Sequence, residues 1–298
     1  MKPILVTGAT GKQGGATARQ LLARGFAVRA MTRNPSSMAA RELSRSGAEV
    51  VFGDLDDEAS LRNALRGADG VFSVQSYAEH GAEGEVRQGE ILATLAARAG
   101  ISHFIYCSVG GAERHTGVHH FQTKWRIEEH IGRLELPATI LRPVALMESF
   151  TFPFFLTMVA SGILPGPQKP GDRCQFIAAA DVGRIAAEAF ALANEYIGAA
   201  IEIASDEMTL TQAAAVFARV LGRPVKYVEL GPADLNEELR VQMGGFTARG
   251  GFSADVRKLR EKWPWMFTLE NWLRATGWDR LQDMPATSIL SAAAMPQR

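Results

Sequence analysis

Three glycines at three-residue spacing, Gly8, Gly11 and Gly14, follow the short apolar run Ile4-Leu5-Val6 and enclose Lys12 and Gln13. No Asp or Glu precedes Glu42, whereas Lys12 and Arg33 both fall inside that acid-free stretch. These residue types at this spacing suit phosphate binding. Gly8 can adopt backbone angles closed to other residues, Gly11 lets the main chain approach a pyrophosphate, and Gly14 lets a following helix pack close to the strand. The N-terminus of that helix then receives the phosphates. A kinase-type phosphate loop is excluded, because it needs four residues between its glycines and Ser or Thr after Lys. Here two residues intervene and Gln13 follows Lys12.

In dinucleotide folds that prefer NAD, the second strand ends in an Asp or Glu that binds the adenosine ribose 2′-hydroxyl and would repel a 2′-phosphate. Phe26–Thr32 reads as that strand, and Thr32-Arg33-Asn34 holds the place of the acid. Arg33 offers a guanidinium fork to phosphate oxygens, and Lys12 adds a second positive charge. One charge-assisted bond contributes about 1.5–3 kcal/mol. Arg33 alone would then favour NADP(H) over NAD(H) about ten- to a hundredfold. The alternative leaves Arg33 and Lys12 as solvated surface charges.

Positioning such a site requires strands that alternate with helices. Apolar runs suited to buried parallel strands recur at Ala48–Phe52, Gly70–Val74, His103–Cys107 and Ala138–Leu141. Helical patterns fill the intervals at Ala16–Arg24, around Leu61–Leu65, at Val86–Ala99 and at Trp125–Leu134. This predicts an α/β fold with a doubly wound parallel sheet, Rossmann-like, and a smaller, mostly C-terminal α+β cap. Residues 1–143, with about 176–205 returning to the sheet, form the nucleotide-binding domain. About 144–175 and 206–281 form the cap, and 282–298 a loose tail. Asp181 is expected to cap a helix, Ala200–Ala204 to form a strand, and Thr211–Leu221 and Leu269–Ala275 to form helices.

The 298 residues carry 32 basic and 32 acidic side chains, which argues against a general attraction to nucleic acid or membranes. Neither a basic recognition helix nor a zinc module is present, and direct DNA binding is not expected. The cluster His115, His119 and His120 lacks accompanying Cys or suitably spaced carboxylates, so no metal is expected. Cys107 and Cys174 form no Cys-x-x-Cys motif, and Cys107 reads as a packed core thiol. With no apolar stretch of membrane-spanning length and a strand-like run at the start, a cytoplasmic location is the expectation.

The segments Thr7–Gly15, Thr32–Pro35, Gly53–Asp57, His120–Lys124 and Leu141–Pro143 together resemble the atypical short-chain dehydrogenase/reductase superfamily, and within it the NmrA-like group. The resemblance implies an NADP(H) site, a cap built mainly from the C-terminal third, and cytosolic or nuclear residence. It places Asp54 and Leu55 at the adenine and Ser73-Val74-Gln75 along the cofactor. Asp54 has an equal alternative as a turn residue satisfying local amides. The full expected cofactor set is Thr7, Gly8, Thr10, Gly11, Lys12, Gln13, Gly14, Arg33, Asp54, Leu55, Ser73, Val74, Gln75 and Lys124.

Catalytic members of the superfamily use Tyr-x-x-x-Lys, a one-turn spacing that puts both side chains on one helix face. Here His120 takes the tyrosine's place and Lys124 is kept. By resemblance Lys124 binds the nicotinamide ribose. His120 is either a weak acid kept neutral by the Lys124 charge or a packing residue. Ser108 matches the position of a substrate-polarising serine. Two readings follow. One is a reductase passing hydride from NADPH to a quinone or conjugated carbonyl, with the run Phe150–Phe155 as a platform for a flat small-molecule acceptor. The other is a non-catalytic NADP(H) sensor read by a regulatory protein partner through mobile loops at Tyr77–Gly84 and Gly244–Gly251.

Overall fold

The alternating strand and helix patterns assemble into a seven-stranded sheet. Its strands are β1 (Ile4–Val6), β2 (Val28–Thr32), β3 (Glu49–Phe52), β4 (Gly70–Ser73), β5 (His103–Cys107), β6 (Ala138–Pro143) and β10 (Ala200–Ile203), in the order β10-β6-β5-β4-β1-β2-β3. The pairings β1 with β2 and β4, β2 with β3, and β5 with β4 and β6 are all parallel. Strand order reverses between β1 and β4, and the crevice beyond the carboxyl ends of such a pair is where ligands bind in open α/β sheets. The computed structural model describes residues 2–231, 233–234, 246 and 251–281.

Helices α1 (Lys12–Ala23), α2 (Met38–Arg45), α3 (Glu58–Leu65), α4 (Tyr77–Arg98), α5 (His119–Arg133) and α7 (Ala179–Ala191) flank the sheet. Leu61 of α3, Leu92 of α4 and Ile127 of α5 share one core with Leu5, Val71, Phe104 and Tyr106. Side chains alternate across a strand. Ile105 and Cys107 therefore face the opposite side, where the Cys107 thiol donates to Gln13 of α1 at 2.9 Å. On that side α1 packs against α7. A Cβ on Gly183 would stand 2.7–2.9 Å from backbone atoms of Ala16 and Thr17, so the absence of a side chain sets this helix spacing.

The chain forms two compact units, Met1–His115 with His119–Pro143 and Ala179–Glu202, and Thr116–Val118 with Val144–Ala178 and Ile203–Arg298. The second holds a three-stranded sheet of β7 (Ala145–Leu146), β9 (Arg173–Ile177) and β11 (Asp206–Thr209), and a parallel pair of β8 (Ile163–Gly166) and β12 (Lys226–Glu229). Its core joins Met147, Leu156, Phe176, Phe217, Leu269 and Trp272. Helix α9 (Leu210–Leu221) begins in a capping box between Thr209 and Gln212 and ends at Gly222 with φ 63°. Among the described residues, no helix is long and apolar enough to cross a membrane.

Two local expectations are corrected. Tyr77–Gly84 is helical, as part of α4, and the break is confined to Gly81, with φ 66° and ψ −174°. Ala78, Glu79, Ala82 and Glu83 favour helix on either side of that glycine. Asp181 lies inside the first turn of α7 and not at its cap; buried there, it stands 3.7 Å from Arg184. Of the aromatic run, Phe150 is buried whereas Phe152 and Phe154 are about half exposed, at 51% and 54%. The tail 282–298 and nearly all of Gly244–Gly251 lie outside the described residues.

Gly183→Ala is expected to destabilise the protein by about 1–3 kcal/mol in urea unfolding, because the added methyl must separate α1 from α7. A second prediction concerns His103. Its Nε2 lies 2.8 Å from Thr139 Oγ1, whose own proton goes to the Tyr196 carbonyl, so Nε2 donates and Nδ1 is bare. Burial lowers its pKa from 6.5 to about 4. The unfolded chain binds this proton below pH 6.5 and the folded chain does not, so stability falls as pH drops from about 6.5 to 4. The loss amounts to about 3 kcal/mol. His103→Gln should flatten that part of the stability–pH curve.

Candidate functional site

The glycine turn after β1 is held from within. Gly8 has φ +57°, and a Cβ there would approach Val74 Cγ1 at 2.9 Å. Gly11 N–H donates to the Gly8 carbonyl at 2.8 Å and then caps α1 in an extended conformation. A Cβ on Gly14 would collide with the carbonyl oxygens of Thr7 and Gly8. Helix α1 has no side-chain cap and no acid in its first turn, so its positive end is not neutralised by its own sequence. Thr10, Gly11 and Lys12 are exposed around this end.

Some expected contacts are taken up by the fold. The buried Thr7 hydroxyl accepts from Val74 N–H at 2.9 Å and lies 3.2 Å from the Val74 carbonyl, tying β1 to the end of β4. Gln13 accepts from Cys107, whose pKa burial pushes up to about 12, so this thiol stays protonated at neutral pH. Asp54 Oδ1 accepts from Asp56 N–H, and Asp54 N–H donates to Ser60 Oγ, the turn role that competed with adenine binding. Leu55 is half-buried beside it. Arg33, exposed just after β2, pairs with Glu79 at 2.8 Å.

Beyond β4 the chain turns to meet Lys124. Gln75 Nε2 donates to the buried Ser73 Oγ at 2.9 Å, while Gln75 Oε1 is buried without a partner. Lys124 Nζ donates to the Gln75 carbonyl at 3.3 Å and forms an ion pair with Glu85 at 2.9 Å. Glu85 is fully buried and also accepts from the Thr123 hydroxyl. Its carboxylate compensates the charge of the ammonium. At least one Lys124 N–H is left for a ligand. The His120 ring lies 5.7 Å from that of Tyr77 and 4.8 Å from that of Phe121.

Ser108, which matches the position of a substrate-polarising serine, is engaged within the fold. It is buried and donates to Glu128, which also binds Arg142 at 2.6 Å; Arg142 in turn pairs with Glu113 at 2.9 Å. Sequence reasoning missed Glu85, Glu128 and Arg142. A usable signal existed for Glu85, since a lysine on a packed helix face needs a buried counter-charge.

The second unit contains a cavity of about 550 Å³ lined by Phe150, Phe155, Phe176, Phe252, Leu210 and Cys174, among others. Phe150 sits edge-on to Phe155 and Phe217, at 6.0 and 5.1 Å. The phenylalanine run thus contributes two of its four rings to an apolar cavity.

The residues of the first unit fit an NADP-type dinucleotide. The uncapped α1, the glycine turn that leaves the backbone open, the orphan Gln75 Oε1 and a Lys124 N–H supply donors and an acceptor for it. Removing one partner of the buried ion pair exposes the cost of the other. Glu85→Leu should destabilise the protein by about 3–5 kcal/mol in urea unfolding. Adding Lys124→Met to Glu85→Leu should recover most of that loss.

The model of the NmrA-like family matches residues 1–247. The NmrA-like family domain-containing oxidoreductase FrzB of a Cladobotryum species is 34% identical over 159 residues, covering 49% of this chain and 47% of that protein. That match thus spans about half of the relative's length. The (4-alkanoyl-5-oxo-2,5-dihydrofuran-3-yl)methyl phosphate reductase of Streptomyces griseus subsp. griseus is 32% identical over 232 residues, 76% of this chain and 77% of that protein. The crystal structure of an NADPH-dependent quinone oxidoreductase from Escherichia coli, complexed with NADPH, matches with a TM-score of 0.76 at 25% identity, over 91% of this chain and 98% of that one. With glycine turn, strand order and family model in agreement, the chain belongs to the NmrA-like family.

Proposed function

We propose that this chain binds NADP(H) and reduces a quinone or another conjugated carbonyl. The observation that carries this reading is the Lys124 ammonium, held by the Gln75 carbonyl and Glu85 just beyond β4, in the same unit as the glycine turn. NADPH supplies the hydride when bound. Lys124 contributes a fixed N–H donor for a ribose hydroxyl, Gln75 Oε1 an acceptor, and α1 its positive end for the pyrophosphate. The Streptomyces relative is named as a reductase of an oxo-dihydrofuran and the Escherichia coli structure as a quinone oxidoreductase, both conjugated carbonyl classes. Such acceptors delocalise incoming charge and can take their proton from water, so a dedicated tyrosine acid is dispensable. The phenylalanine cavity of the second unit has the chemistry for a flat apolar acceptor.

A second reading, a non-catalytic NADP(H) sensor acting through a protein partner, is favoured by one observation. The Ser108 hydroxyl donates its hydrogen bond to Glu128 and is committed within the fold.

The test is NADPH consumption with a panel of quinones and enals, with saturation confirmed by NADPH fluorescence. Turnover is expected. Lys124→Ala should weaken NADPH binding about ten- to a hundredfold, the loss of one charge-assisted bond. Tight binding without turnover across the panel would overturn the reductase and make the sensor primary.

A further inference from the structure

The pair between Arg33 and Glu79 contributes little to the fold. It joins the end of β2 to the first turn of α4, and both side chains are more than half exposed, at 57% and 56%. Solvent-exposed pairs of this kind add little stability. Only Arg33 Nη2 is engaged, at 2.8 Å from Glu79 Oε2, and the same oxygen stands 3.6 Å from His80 Nε2. Glu79 belongs to the turn Tyr77–His80, which Gly81 separates from the rest of α4 by its φ of 66° and ψ of −174°. A Cβ at Gly81 would meet nothing within 4 Å, so glycine is required there for its backbone angle and not for space. The same turn carries Tyr77, whose ring lies 5.7 Å from that of His120.

Resting on the NADP(H) reading above, we propose that Glu79 is a second determinant of cofactor choice, a carboxylate that a 2′-phosphate must displace from Arg33. NAD-type sites carry their acid at the end of the second strand. Here that strand is followed by Arg33, and the acid reaches the same place from α4. A 2′-phosphate and Glu79 are both anionic and both seek the one guanidinium, so their joint presence is repulsive.

The experiment measures dissociation constants for NADPH and NADH by cofactor fluorescence in the unaltered protein, Glu79→Gln, Arg33→Ala and the double variant. Glu79→Gln should raise the preference for NADPH over NADH about three- to fivefold, the range of a surface ion pair. It should have no effect on that preference in the Arg33→Ala background. An unchanged or lowered preference, or equal tightening of both cofactors, overturns the proposal. If Arg33→Ala collapses the preference while Glu79→Gln leaves it alone, Glu79 is eliminated and the phosphate site stands. If Arg33→Ala also leaves the preference unchanged, the placement of the 2′-phosphate at Arg33 falls, and the proposal with it.

Discussion

A lysine, Lys124, only 9% exposed imposes the constraint around which the first unit is organised. Desolvating a charge is costly unless an opposite charge and hydrogen bonds accompany it. Glu85 supplies the charge from α4, the Gln75 carbonyl an acceptor from the end of β4, and Thr123 a hydroxyl that steadies Glu85 from α5. These three elements must converge for the pair to be tolerated. Helix packing makes the same demand, since a Cβ on Gly89 of α4 would run into Ile127 of α5 at 2.6 Å. Electrostatics and sterics therefore specify one arrangement of α4 and α5.

Close approach governs the other side of the sheet. Gly14 brings α1 onto the carbonyls of Thr7 and Gly8, and Gly183 brings α7 onto α1. The result is a helix N-terminus held rigidly over the crevice between β1 and β4, with no capping side chain or acid of its own. A phosphate arriving there meets donors already in place, which is the advantage of a site built on packed elements instead of a loop.

The departures from the superfamily pattern form a coherent set. Where a tyrosine would stand, His120 packs against Tyr77 and Phe121; where a serine would polarise substrate, Ser108 joins a buried network with Glu128, Arg142 and Glu113. These positions depart from the superfamily's tyrosine and serine arrangement, while the features that fit a dinucleotide are kept. An acceptor that stabilises incoming charge by conjugation is compatible with such a site.

Local patterns in the sequence determined much of this protein. The glycine spacing after an apolar run, the alternation of strands with helices and the missing acid after β2 each depend on neighbours within a few residues, and the parallel sheet with its glycine turn follows from them. The Asp54 turn was legible for the same reason. What only the tertiary structure decided is which distant groups meet. Glu85 and Lys124 are 39 positions apart and Arg33 and Glu79 are 46, and no periodicity connects either pair. Ser108 meets Glu128 twenty positions away, and the four clustered phenylalanines divide between cavity and solvent according to the turn Met147–Thr151 and helix α6 (Pro153–Ala160) that carry three of them. Charge compensation and burial are properties of a packed interior, so they emerge only when the elements that local sequence dictates are brought together.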